Sequence, residues 1–253
     1  MCLVALNWDP EADLPLTLIA NRDEFRARPT MPMHWWPDQS VNMLAGKDLQ
    51  AGGTWFAIDR AGRFALVTNI RPGYVGKSAT LSRGTLPVDF IQSGGDIAAF
   101  HAQIVDDIPQ YGGFNLLLGD LEQLFWFSSD RPEGCQLKPG VHVLSNDALN
   151  TPWPKVELAR EQMRASIEHF RSGEIDLDVL ASTSPFPDEE LPQTGVSADW
   201  ESKLSAQTII GTDYGTRSRC WLRVTQQRQV SLTEAQLTEA AELHAQLHFN
   251  WQA

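Results

Sequence analysis

The sequence predicts an α+β layered domain in which mostly antiparallel sheet packs on sheet and helices lie outside. Two observations lead there. Strand-like apolar runs come in pairs split by short polar turns, and only a few segments carry helical periodicity. A third, the 253-residue length with 42% hydrophobic content, supplies enough apolar surface for one core. No repeat, low-complexity tract or long linker divides the chain, so residues 1–253 read as a single domain.

The strand-like runs are Cys2 to Asn7, Leu16 to Ala20, Thr54 to Ile58, Phe64 to Thr68, Phe114 to Leu118, Leu124 to Phe127, His142 to Leu144 and Cys220 to Val224. The turn DRAGR splits one pair and GDLEQ another, each of hairpin length. Helical spacing covers Leu86 to Gln92, Asp96 to Val105 and Trp153 to Phe170, the last with Pro154 in its first turn and Gly173 beyond its end. Ser182 to Trp200, rich in Pro, Ser and acid, reads as a long loop. Near the end, VSLTEAQL alternates like a strand, whereas Glu239 to His248 is helix-like.

With 32 acidic and 20 basic residues the net charge is -12, which disfavours nucleic acid and anionic membrane surfaces as partners. No apolar run approaches the roughly 20 residues that span a bilayer. The run Leu3 to Leu6 is too short for a signal-peptide core and lacks a basic leader, so the expected compartment is the cytoplasm. Cys2, Cys135 and Cys220 are widely separated, so neither a disulfide framework nor a CxxC motif is available. Any cysteine chemistry is then that of a thiol.

Cys2 is placed for such chemistry. Methionine aminopeptidase generally trims Met1 before a small residue, which would leave Cys2 with a free α-amine of reference pKa about 7.7 to 8.0 beside a thiol near 8.5. Base and nucleophile then share one residue. The plain alternative is a small buried residue opening a strand. The second apolar run ends in Asn21, Arg22, Asp23 and Glu24. If the first two runs pair antiparallel, this NRDE lies beside Cys2, where Arg22 would lower the thiol pKa and Asp23 or Glu24 would hold the α-ammonium. Asn69 and Asn146, each following a strand-like run, offer amide donors to a developing oxyanion, although either also suits a turn. Arg71 follows Asn69, and GTDYGTRSR sets Arg217 and Arg219 at the entry to another apolar run.

The segments MCLVALNW, ANRDEFRARPT, AGGTWFAI with GRFALVTNIR, SRGTL, GFNLLLGDL, HVLSND followed by WPKV, and YGTRSR are collinear over nearly the whole chain. In these the chain resembles the NRDE family, which includes the transport and Golgi organisation proteins. More distantly it resembles cysteine N-terminal-nucleophile hydrolases such as penicillin V and bile-salt acylases. That resemblance implies a four-layer αββα fold. It also implies Cys2 as nucleophile, Arg22 and Asp23 as polarising neighbours, Asn69 and Asn146 as oxyanion or substrate contacts, and Arg217 as a buried site arginine with Arg219 as its alternative. The acylases read Arg-Asn-x-Asp where this chain reads NRDE, which leaves the equivalence of Arg22 and Asp23 open.

Two functions follow. One is hydrolysis or acyl transfer of a non-peptide amide on the Cys2 thiol with the α-amine as base, requiring no cofactor. Asn21, Glu24, Arg71 and Trp55 are the expected substrate contacts. The other, also implied by the family, is a non-catalytic carrier of haem, acyl-CoA or lipid. Arg22, Arg26, Arg71 and Arg217 would pair with its anionic groups, Trp35, Trp36, Trp55 and Phe56 would offer flat apolar surface, and Cys2 or His34 would ligate haem iron. Either way the partner is a small molecule with an acyl, amide or anionic group. His244 and His248 have helical i,i+4 spacing but lack the glutamate of a zinc protease, and no metal is expected there.

Overall fold

In the computed structural model, residues 2–37, 41–75, 77–94 and 96–253 are described. In chain order the strands are β1 (Cys2–Trp8), β2 (Leu16–Phe25), β3 (Thr30–Trp35), β4 (Met43–Asp48), β5 (Phe56–Asp59) and β6 (Phe64–Asn69). Helices α1 (Thr85–Ser93) and α2 (Ile97–Ile104) follow, then β7 (Phe114–Gly119), β8 (Leu124–Ser128), β9 (Arg131–Gln136) and β10 (Gly140–Leu144). The chain closes with α3 (Pro154–Ala165), α4 (Ile167–Ser172), α5 (Ala198–Ser205), β11 (Tyr214–Val224), β12 (Gln229–Leu237) and β13 (Leu243–Gln252).

Two antiparallel sheets result. One runs β10-β1-β2-β11-β12-β13 and the other β3-β4-β5-β6-β7-β8-β9. The central strands read as near-continuous apolar runs because both of their faces are covered. Val4, Leu6, Leu16 and Leu18 meet Phe56, Phe64, Leu66 and Leu117 between the sheets. Leu3, Ala5 and Ile19 point the other way, onto Val156, Ala159 and Met163 of α3. Ala65, Val67, Leu116 and Leu118 cover the far face of the second sheet with Leu86, Phe90 and Phe100 from α1 and α2. Each large side chain so enclosed contributes on the order of 1.5–3 kcal/mol. The expected αββα layering is therefore the observed architecture.

Local chemistry sets the helix ends. α1 stops at Gly94, whose φ of 64° is left-handed. The Asp96 side chain accepts from Ala99 N at 2.8 Å to start α2. The helical stretch expected from Trp153 to Phe170 is broken at Ser166, whose hydroxyl turns to Asp176.

Four sequence expectations are corrected. The helix-like Glu239 to His248 forms a turn and the start of β13, because pairing with β12 outweighs helix propensity and Leu247, Phe249 and Trp251 alternate inward. His244 and His248 are thus strand residues, without the shared helical face their spacing suggested. The long loop from Ser182 ends sooner than expected, since α5 begins at Ala198. β2 does not stop at Ala20 but continues to Phe25, so NRDE lies inside a strand.

Candidate active site

The registers explain the site. Cys2 of β1 pairs with Arg22 of β2, and Arg22 pairs in turn with Ser218 of β11. Because NRDE is extended, its side chains alternate across the sheet. Arg22 shares the inter-sheet side with Cys2, whereas Asn21 and Asp23 point to the side covered by α3.

At this edge of the core the sheets part around a cavity of about 410 Å³, lined among others by Cys2, Arg22, Glu24, Trp55, Asn69 and Arg83. The Arg22 guanidinium lies 4.1 Å from the Trp55 ring centroid and 3.8 Å from Glu24 Oε2. Gly46 makes room for that ring, since a Cβ there would lie 2.2 Å from it. Cys2 is buried, and burial pushes its thiol pKa up, while the Arg22 charge pulls it down. The thiol therefore needs a proton acceptor to react at neutral pH. Met1, whose removal would free that acceptor, lies outside the described residues.

Asn69 closes β6 at the cavity wall. Its Oδ1 accepts from Asn146 Nδ2 at 3.0 Å, and the same Nδ2 lies 3.2 Å from the Asn69 carbonyl. Asn146 is held by Ser145 Oγ at 3.3 Å, and its own carbonyl accepts from Arg71 N at 2.9 Å. With Oδ1 so engaged, the Asn69 NH2 group makes no hydrogen bond among the described residues. Asn146 does not line the cavity; it orients the amide that does.

A family model described as Transport and Golgi organisation 2 matches residues 1–239. The chain belongs to that family. A Bos taurus Transport and Golgi organization protein 2 homolog is 28% identical over 92% of this chain and 92% of its own length. The Homo sapiens homolog is 27% identical over 94% of both, and the Drosophila melanogaster protein 22% over 88% of this chain and 86% of its own. A solved mutant C2A conjugated bile acid hydrolase from Clostridium perfringens aligns at TM-score 0.45 and 7% identity, covering 92% of this chain and 88% of that one.

In this member of the Transport and Golgi organisation 2 family, the remaining predicted residues have other positions. Asn21 is a buried brace: its Nδ2 donates to the Leu180 and Gln207 carbonyls at 2.9 Å each, and its Oδ1 accepts from Arg219 Nε at 2.7 Å. Arg219 is the buried arginine, pushed down to about 10 by burial, and it also donates to Leu180 O. Arg217 is half-buried outside the cavity and donates to the Phe25 and Arg28 carbonyls. A bulge between Thr216 and Ser218 leaves Arg217 without a partner on β2, whereas Arg219 pairs with Asn21 on the buried side.

Arg71 is buried away from the cavity, 3.4 Å from Glu201 and 5.3 Å from the Trp153 ring. Arg26 is spent on the carbonyls of Gly211, Thr216, Leu237 and Thr238. His34 bonds Pro32 O and, like Trp35, Trp36 and Phe56, does not line the cavity. Asp23, by contrast, also lines the Cys2 cavity; it accepts from Thr216 Oγ1 at 2.6 Å, and burial raises its pKa, against which Thr216 and the Lys155 charge act.

Two residues escaped sequence reasoning. Lys155, in the first turn of α3, is buried with its ammonium on Leu204 O at 2.8 Å, and its pKa falls to about 8 through burial and the Arg71 charge. Arg83, in SRGTL, faces the cavity. WPKV and SRGTL were both visible as motifs, but nothing in their spacing places them beside Cys2. Among the described residues no cluster of three or more His, Cys, Asp or Glu side chains is arranged to hold a metal ion, and no helix is long and apolar enough to cross a membrane.

Proposed function

We propose that the protein cleaves, or transfers the acyl group of, a non-peptide amide on the Cys2 thiol, in the cytoplasm and without a cofactor. The observation that carries this reading is the shared cavity wall: a thiol opening β1 together with the unengaged Asn69 amide that Asn146 orients. After Met1 is removed, the Cys2 α-amine takes the thiol proton as Sγ bonds to the substrate carbonyl carbon. The Asn69 NH2 donates to the oxyanion. As the intermediate collapses the C–N bond breaks, and the α-ammonium returns its proton to the leaving amine. Water then hydrolyses the thioester to a carboxylic acid and restores the thiol. Asp23, which also lines the cavity, would hold the α-ammonium, and Arg22 favours the thiolate. Release of p-nitroaniline from acyl-p-nitroanilides, present in the parent and abolished in Cys2→Ala, tests the proposal; equal rates in both would overturn it.

A non-catalytic use of the cavity by haem or acyl-CoA is favoured by one feature, the Arg22–Trp55 stack, which offers a cation and a flat ring together. With His34 off the cavity wall, Cys2 would be the haem ligand. A Soret shift abolished by Cys2→Ala would support this reading, and a shift unchanged by it would exclude Cys2 as the ligand.

A further inference from the structure

Three arginines line the Cys2 cavity, and they differ in what holds them. Arg28 is committed to Asp48, with Nε and Nη2 at 2.8 and 2.7 Å from the same carboxylate oxygen. Arg22 is stacked on Trp55 and faces Glu24. The Arg83 guanidinium makes no hydrogen bond and no ion pair among the described residues, although the chain carries net charge -12. It is solvent-accessible in the cavity, and the Cys2 thiol and Glu24 both act on its charge.

The backbone that carries Arg83 is nevertheless fixed. Its carbonyl accepts from Leu86 N at 3.2 Å in the first turn of α1, and the next carbonyl, of Gly84, accepts from Thr54 N at 2.8 Å. Gly53 permits that approach, because a Cβ there would sit 2.3 Å from the Gly84 oxygen. At the tip, Gly112 leaves room for the guanidinium, whose Nη1 would be 3.2 Å from a Cβ at that position. An unengaged fork on a pinned loop, facing a cavity within the roughly 300–1,000 Å³ typical of small-molecule sites, is a preorganised receptor for a planar or tetrahedral anion.

We propose that Arg83 is a specificity-determining residue: the cavity takes acyl amides that carry a second, anionic group, a carboxylate or a phosphate, which the Arg83 fork binds while the amide carbonyl meets Cys2. The proposal rests on the acyl-transfer reading for its substrate class, but its binding arm does not require turnover. The neutral stretch between the two ends would lie along Trp55, Val67 and Leu81, which supply the apolar wall.

The test uses three p-nitroanilides of one chain length: hexanoyl, adipoyl with a terminal carboxylate, and 6-phosphonohexanoyl. Binding is measured by calorimetry on the Cys2→Ala protein and turnover on the parent. A charge-assisted fork contact predicts about tenfold tighter binding of at least one anionic anilide over the hexanoyl compound, expressed mainly in KM. Arg83→Ala should erase that preference and Arg83→Lys should keep part of it. A larger gain for the carboxylate or for the phosphonate tells which anion the fork reads. Equal binding of all three by Cys2→Ala protein, or a preference that survives Arg83→Ala, overturns the proposal. Anion preference in binding without turnover of any anilide would instead sink the acyl-transfer reading and leave the Arg83 subsite standing.

Discussion

Lys155 gives a quantitative test of how the interior around Cys2 is charged. Its ammonium is buried at the positive end of α3, where the helix dipole opposes a cation, and it donates to a carbonyl in the last turn of α5, where the dipole favours one. The folded-state pKa of about 8 lies below the ordinary 10.5. Between those values the unfolded chain binds more protons, so stability rises with pH; below pH 8 the full penalty, about 3 kcal/mol, is present.

In Lys155→Met the penalty disappears, but the Leu204 carbonyl loses its donor at a cost of about 1–3 kcal/mol, so the two proteins should be similarly stable near neutrality. Their curves should then separate, the parent gaining about 2 kcal/mol on the variant between about pH 7.5 and 9.5. Cys2 and Tyr214, both raised by burial, lose stability as pH rises, but they do so in both proteins and cancel in the difference. Urea unfolding followed by tryptophan fluorescence across this range reads the separation. Parallel curves would refute the argument that Lys155 sheds its proton easily because it is buried beside Arg71.

Asn69→Ala should lower kcat about 100-fold by removing an oxyanion donor, whereas Asn146→Ala, acting only through the orientation of Asn69, should cost about tenfold, both read on p-nitroanilide turnover. Gly53→Ala must displace the Gly84 carbonyl and should cost about 1–3 kcal/mol in a thermal melt while weakening the Arg83-dependent preference; Gly52→Ala, left-handed at φ 78° with nothing close to its Cβ, should cost only about 1 kcal/mol. Arg219→Met leaves Asn21 Oδ1 without its donor, while Leu180 O keeps Asn21 Nδ2 and Thr208 Oγ1, and should destabilise by about 2 kcal/mol; Arg217→Met, at a half-buried carbonyl contact, should cost about 1 kcal/mol by the same unfolding measurement.

The sequence reveals the layered fold well because its strands alternate over two buried faces, and the GDLEQ and DRAGR turns announce hairpins that form. β3, β4 and β9 went unseen: TMPMHW carries a proline, MLAGKD a central glycine and RPEGCQ hardly any apolar residue, so their strand character comes from neighbours rather than from propensity. At the site, antiparallel pairing alone brings Arg22 to Cys2. What pattern reading lacked was the length of β2. Four consecutive polar residues look like a turn, yet buried partners on both faces, Arg219 and Thr208 on one and Trp55 on the other, keep NRDE extended and send alternate side chains to different tasks. The bulge in β11 is equally silent in YGTRSR, which is why Arg217 and Arg219 could not be told apart. Arg83 reaches the cavity from the turn ahead of α1, and Lys155 of α3 is buried with its charge acting on Asp23; both are placed by tertiary packing, for which no local spacing exists.

The central claim is that Cys2 accepts an acyl group, and the three cysteines provide their own control because Cys135 is exposed whereas Cys2 and Cys220 are buried. Protein quenched in acid during incubation with adipoyl-p-nitroanilide, then digested and mapped by mass spectrometry, reports where the acyl group resides. The account predicts an amino-terminal peptide that begins at Cys2 and carries the adipoyl thioester, with Cys135 unmodified. A peptide that retains Met1 and has an unmodified Cys2 throughout turnover, or acylation confined to Cys135, would contradict it.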